Sequence, residues 1–196
     1  ALLVEDPAWF LVFGLLRSLG VRVVPVPRLR DGPDIQGLEQ LAQAHQPKLF
    51  ITNSVVHNPT GFGLSLPVAY DLLRLAEQHN LLLVENDALS DFRPATAPRL
   101  SALDGLERTL YLGSFSKSLS AALRVGFVAC SPDLAQELAD LKILTTVSSS
   151  EYAERAVETV LAERRHAKHL EQLRGRLAEA THGAYALLDR MGAEVF

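Results

Sequence analysis

Residues 111–117 read Tyr-Leu-Gly-Ser-Phe-Ser-Lys, and Leu-Arg-Val-Gly-Phe follows shortly after at 123–127. Apolar runs flank this stretch, residues 109–112 before it and 125–130 after it, and both read as buried strands. Ser114, Ser116 and Lys117 therefore fall in a loop that follows a strand, with Arg124 just ahead of the next one. A lysine amine can form a Schiff base with an aldehyde. Serine hydroxyls and a guanidinium can hold a phosphate dianion. A small molecule that is both an aldehyde and a phosphate ester would use all four side chains. Taken alone, the string also fits a solvated turn.

Working outward, residues 57–61 read His-Asn-Pro-Thr-Gly, residues 84–87 read Val-Glu-Asn-Asp, and residues 4–7 read Val-Glu-Asp-Pro, each closing an apolar run. The cofactor that joins an aldehyde to a phosphate ester is pyridoxal 5'-phosphate, whose ring serves as an electron sink. With these motifs the chain resembles the fold-type I, class I/II aminotransferases over nearly its whole length. Its wording is most similar to the aminotransferase-like domain of the MocR-type GntR transcriptional regulators.

The rest of the chain alternates short apolar runs with helical patterns. A strand at 2–4 leads into a helical pattern over 7–19, closed by Gly20. Residues 21–26 are rich in β-branched side chains and stop at Pro27. Asp34 can cap a helix with Ile35, Leu38 and Leu41 on one face. Residues 49–52 form the next strand. Pro67 opens a helix striped by Ala69, Leu72, Leu73 and Ala76, and residues 81–84 are continuously apolar. Such alternation predicts an α/β fold, a mainly parallel sheet with helices on both faces, and ligands then bind beyond the carboxyl ends of the strands. Asn58, Asn86, Asp87 and Ser114 to Lys117 all follow strands directly, so they can converge on one sheet edge.

From Ser131 the pattern is helical, with Leu134, Leu138 and Leu141 in register and a break at 145–150. The resemblance implies a cofactor-binding large domain of the seven-stranded type at 1–150 and a long inter-domain helical segment at 151–191. It places the start of a small C-terminal domain at 192–196. The first residue is Ala and both ends read as strands, so we expect a fragment of a longer polypeptide.

With 48% hydrophobic and 21% charged residues, the composition is that of a water-soluble globular protein. A net charge of −4 gives no basis for direct nucleic-acid contact by this stretch. No apolar run reaches the roughly 18 residues that a membrane span requires. The basic run at 164–169 reads as a solvated helix face among Glu158, Glu163 and Glu171. The single cysteine, Cys130, excludes an intrachain disulfide and is expected as a core thiol in a reducing, cytoplasmic compartment.

The resemblance assigns roles residue by residue. Lys117 is the Schiff-base lysine and the base that moves the substrate α-proton. Ser114, Ser116 and Arg124 bind the phosphate, and Asn58 hydrogen-bonds the ring's phenolic oxygen. Trp9 stacks on the ring or is an ordinary core tryptophan. His57 reads as a loop histidine. The family's acidic strand end, Glu-Asp-Asp-x-Tyr, is replaced here by Glu85-Asn86-Asp87-Ala88-Leu89. In one register Asn86 stands for the aspartate that pairs with the pyridine nitrogen, and Leu89 for the tyrosine. Shifted by one, Asp87 supplies the carboxylate and Ser90 falls at the tyrosine. The implied protein is a homodimer that senses an amine or amino acid and acts on DNA through a separate N-terminal domain. The alternative is a free-standing aminotransferase acting between an amino acid and a 2-oxo acid.

Overall fold

The apolar runs lie side by side, as their β-branched and leucine content demands. The computed structural model describes residues 1–92 and 97–193. Seven strands form one sheet: β1 (Leu2–Asp6), β2 (Val23–Leu29), β3 (Gly32–Pro33), β4 (Leu49–Thr52), β5 (Leu82–Asn86), β6 (Thr109–Ser114) and β7 (Gly126–Ala129). Their spatial order is β3-β2-β1-β4-β5-β6-β7. The five central strands run parallel, while the edge strands β3 and β7 pair antiparallel. Helices α1 (Phe10–Ser18), α2 (Ile35–His45), α3 (Leu66–Gln78) and α4 (Leu100–Asp104) lie between strands. Three more helices, α5 (Pro132–Thr146), α6 (Glu151–Ala162) and α7 (Arg165–Arg190), follow β7.

Register explains the core. Val24, Leu3, Phe50 and Leu83 align across four neighbouring strands and point to one face of the sheet. There they meet Leu38 and Ala42 of α2, Ala69, Leu72 and Ala76 of α3, and Leu100 of α4. One pleat further toward the carboxyl ends, the same face carries Glu5, Thr52 and Glu85, all 1% exposed or less. The core thus changes from apolar to charged as it nears the strand ends. Buried carboxylates persist only where donors meet them. Glu85 accepts hydrogen bonds from the backbone N–H groups of Leu100 (2.8 Å) and Ser101 (2.9 Å), which closes the first turn of α4.

The structure corrects several expectations. Strand β2 continues through Pro25 and Pro27 to Leu29. Only the two-residue β3 lies outside it, and prolines are tolerated at such near-edge positions because few ladder bonds are forfeited. Asp34 precedes α2 but its side chain makes no capping bond, whereas Ser65 caps α3 through Val68 N–H. Strand β7 is not buried among the described residues: it is the sheet edge, and Phe127 and Val128 are about half exposed. Cys130, just beyond it, is half-buried rather than a core thiol. Gly113 makes the pairing of β6 with β7 close, since a Cβ there would collide with the Phe127 ring. That ring in turn sits 5.9 Å from both Tyr111 and Phe115. The helical segment after 150 is broken at Arg164, whose φ of 55° is left-handed, so it forms two helices. Of the expected start of a further strand at 192–196, residues 194–196 lie outside the described residues. No helix of the described residues is long and apolar enough to cross a membrane.

Because Phe50 is fully buried at the centre of the aligned row, Phe50→Ala is expected to cost about 3–5 kcal/mol in urea denaturation. Arg74→Ala breaks only the exposed ion pair with Asp71 and should change stability by less than about 1 kcal/mol.

Candidate cofactor site

A cavity of about 330 Å³ opens beyond the carboxyl ends of the central strands. Its wall brings together Trp9, Asn58, Asn86, Ser114, Ser116, Lys117 and Arg124, and Asn53, Ala88, Leu89 and Ala121 complete it. These residues come from four separate strand ends, and parallel connectivity delivers all four to one edge. Trp9 is 44% exposed, so it serves as cavity wall and not as core. The backbone of Arg124 is held in the left-handed region at φ 55°, directly after the short 3-10 turn of residues 121–123. That conformation is disfavoured for a residue with a Cβ and is kept where the surroundings fix it. The Ser114 hydroxyl accepts a bond from Ser116 N–H at 3.2 Å, which tightens the lysine loop.

Pleating separates Asn86 from Asp87. Asn86 lines the cavity together with Ala88 and Leu89, whereas Asp87 is absent from its wall. Asp87 shares the face of Glu85, is 4% exposed, and is bound by Arg99 Nε at 2.9 Å. Burial pushes its carboxyl up, and the Arg99 hydrogen bond pulls it back. The structure therefore places the first register at the cavity, with Asn86 and Leu89 on its wall, and spends the Asp87 charge on Arg99. The lysine loop is also buttressed by α7. The His166 ring meets Phe115 edge-on at 5.9 Å, and its Nε2 lies 3.4 Å from the Ser118 hydroxyl. One residue of the basic run is thus a packing residue and not a solvated one.

Sequence reasoning missed Asn53 and the buried residues beneath it. The Asn53 side-chain amide donates to the Asn86 carbonyl and ties the ends of β4 and β5 together across the cavity floor. His57 does lie in a loop, but it is buried there: it is 1% exposed, with Nδ1 2.8 Å from the Thr60 hydroxyl and Nε2 3.4 Å from Glu5. Burial, and then the charge of Arg28, lower its pKa to about 4, so at neutral pH it is an uncharged member of the cluster. Glu5 and Arg28 end neighbouring parallel strands with opposite charges. That was the available signal.

The donor set fits pyridoxal 5'-phosphate. One amine stands for the aldehyde, a guanidinium and two hydroxyls for the phosphate, an amide for the phenolic oxygen, and a flat indole for the ring.

The His57 shift has a consequence for stability. Its imidazole takes up a proton in the unfolded chain near pH 6.5 but in the folded chain only near pH 4. Stability is therefore unaffected above pH 6.5, falls as pH drops through that window, and levels off below it. The loss is on the order of 3 kcal/mol at one tenfold step per 1.36 kcal/mol. His57→Gln should lack this component, so denaturant midpoints of variant and wild type should converge or cross between pH 7 and 4. Parallel profiles would contradict it.

The sequence matches the family described as aminotransferase class I and II over residues 1–196. Among curated relatives, YcxD of Bacillus subtilis (strain 168), an uncharacterized HTH-type transcriptional regulator, is 34% identical over 172 residues, covering 87% of this chain and 39% of that protein. The 2-aminoadipate transaminase of Thermus thermophilus is 34% identical over 145 residues, covering 71% of this chain and 36% of that protein. Among solved structures, LysN, an α-aminoadipate aminotransferase also from Thermus thermophilus and complexed with N-(5'-phosphopyridoxyl)-L-leucine, superimposes with a TM-score of 0.89. The two are 30% identical, over 96% of this chain and 50% of that one. The chain spans about two fifths of the length of these curated relatives and half of the solved enzyme. Matched along its whole length, this chain belongs to the class I and II aminotransferase family.

Proposed function

We propose that this chain is the pyridoxal-phosphate-binding, aminotransferase-like domain of a MocR/GntR-type transcriptional regulator, and that it senses an amine or amino acid. The observation that carries this reading is the cavity wall, which holds the cofactor-binding set while presenting Asn86 and Leu89. When bound, the cofactor supplies an electron sink for a carbanion beside its ring. Arg124, Ser114 and Ser116 hold the phosphate end, Asn58 orients the phenolic side, and Trp9 shields a ring face from water. The Lys117 amine would hold the aldehyde end of the cofactor and would supply the base that moves a proton.

Asn86 decides between sensing and turnover. An ionised carboxylate at this place would keep the ring nitrogen protonated; a neutral amide supplies no such charge. The carboxylate next along, Asp87, is engaged by Arg99 on the other face of the sheet. Leu89 offers an apolar contact and no hydrogen bond. Ligand capture needs neither group, whereas proton removal from the ligand is slowed without them. The homodimer, the action on DNA through a segment outside this chain, and the cytoplasmic setting belong to the same proposal. So does the division into a large domain (1–150), a connecting helical segment (151–191) and the beginning of a small domain (192–196).

The second reading, a free-standing aminotransferase, is favoured by the identity to the 2-aminoadipate transaminase. Single-turnover amino transfer with a panel of amino acids separates the two. The wild type should bind amino acids, seen as a shift of the cofactor's visible band, yet transfer the amino group slowly. Asn86→Asp should accelerate transfer on the order of a hundredfold, the equivalent of about 3 kcal/mol of charge stabilisation. Fast wild-type transfer that Asn86→Asp leaves unchanged would move the assignment to the enzyme.

A further inference from the structure

Beneath the cavity lies a group of buried charges that hydrogen-bonds to the loops carrying the cavity residues. The Arg28 side chain, fully buried, donates through Nη1 to Glu5 and to the Asn53 carbonyl (3.1 Å), and through Nη2 to the Gly63 carbonyl (3.3 Å). Glu5 also accepts from the Thr52 hydroxyl (2.7 Å) and from Asn53 N–H (3.2 Å). Asn53 and Gly63 are the two stems of the loop that carries Asn58. Its base is closed by Leu64 N–H donating to the Ser54 carbonyl, and its tip by Gly61 N–H donating to the His57 carbonyl. His57 fills the loop interior, facing Glu5 on one side and Thr60 on the other. Glu5 itself lies near the end of β1, four residues before Trp9.

Resting on the cofactor reading above, we propose that Glu5 is a positioning residue: with Arg28 it clamps both stems of the 53–63 loop and so fixes Asn58 and Trp9 relative to one another. The two wall residues come from loops that are 49 positions apart in sequence and need a common anchor. A buried ion pair suits this role because its geometry is enforced by the cost of leaving either charge alone. An apolar pair in the same place would fill space without setting the height of the Asn53 and Gly63 carbonyls.

The test uses the full-length protein and the variants Glu5→Gln and Thr52→Val. Glutamine keeps the shape and the acceptor for Arg28 and Thr52, but turns an NH₂ toward Asn53 N–H. Thr52→Val removes one bond only. In the cofactor-free protein, amide hydrogen exchange over 53–63 should quicken at least tenfold in Glu5→Gln and less in Thr52→Val, with α3 keeping its wild-type protection. Pyridoxal phosphate, titrated by visible absorbance, should bind at least tenfold more weakly to Glu5→Gln. Asn58→Ala added to Glu5→Gln should weaken it little further, since both act through one contact. Unchanged exchange over 53–63, or equal acceleration in α3, overturns the clamp. Wild-type protein that takes up no pyridoxal phosphate overturns the cofactor reading while the exchange result still judges the clamp.

Discussion

A parallel strand cannot meet its neighbour through a hairpin; the chain must cross back each time, so every strand delivers its carboxyl end to the same edge. Here β1, β4, β5 and β6 obey that constraint, and each is followed closely by a residue of the cavity wall. Residues more than a hundred positions apart, Trp9 and Lys117, become neighbours of one cavity with no further instruction. Pleating then sorts the polar residues at those ends. One face sends Asn53 and Asn86 to the cavity, and the other sends Glu5, Thr52 and Glu85 into the helix-covered interior.

The interior carboxylates carry a desolvation cost that a purely apolar core would avoid. Each is met by donors from another part of the chain: Glu85 by the first turn of α4, Glu5 by β2, by β4 and by the stem of the Asn58 loop. Burial pushes the Glu5 carboxyl up, and Arg28, Thr52 and Asn53 pull it back. The strand ends are therefore cross-linked by directional bonds just below the place where side chains must be held in a fixed arrangement. Precision at the cavity is obtained from polar contacts, and the apolar rows behind them supply the bulk of the stability.

Much of this was legible beforehand. The continuous apolar runs at 49–52 and 81–84 marked strands, and the chemistry of Ser114, Ser116, Lys117 and Arg124 marked the ligand. What stayed hidden depended on side-chain direction. Whether Asn86 or Asp87 met the cavity was undecidable from a motif that allows two registers, and only the folded chain separates them, with Asn86 on the cavity wall and Asp87 buried against Arg99. His57 looked like a turn residue because its neighbours are Asn, Pro, Thr and Gly; its burial comes from Glu5 and Arg28, far away in sequence. The break at Arg164 carries neither Gly nor Pro, so no local signal announced it. β2 ran past its apparent stop because proline is costly only where a neighbouring strand needs its N–H.

We propose that this cavity holds pyridoxal phosphate through Lys117. The direct measurement is borohydride reduction of the full-length protein incubated with the cofactor, followed by peptide mapping by mass spectrometry. The expected result is loss of the visible band and a single pyridoxyl-modified peptide, the one spanning residues 109–124, with the mass addition on Lys117. Modification at Lys48, Lys142 or Lys168 with Lys117 unmodified would contradict it.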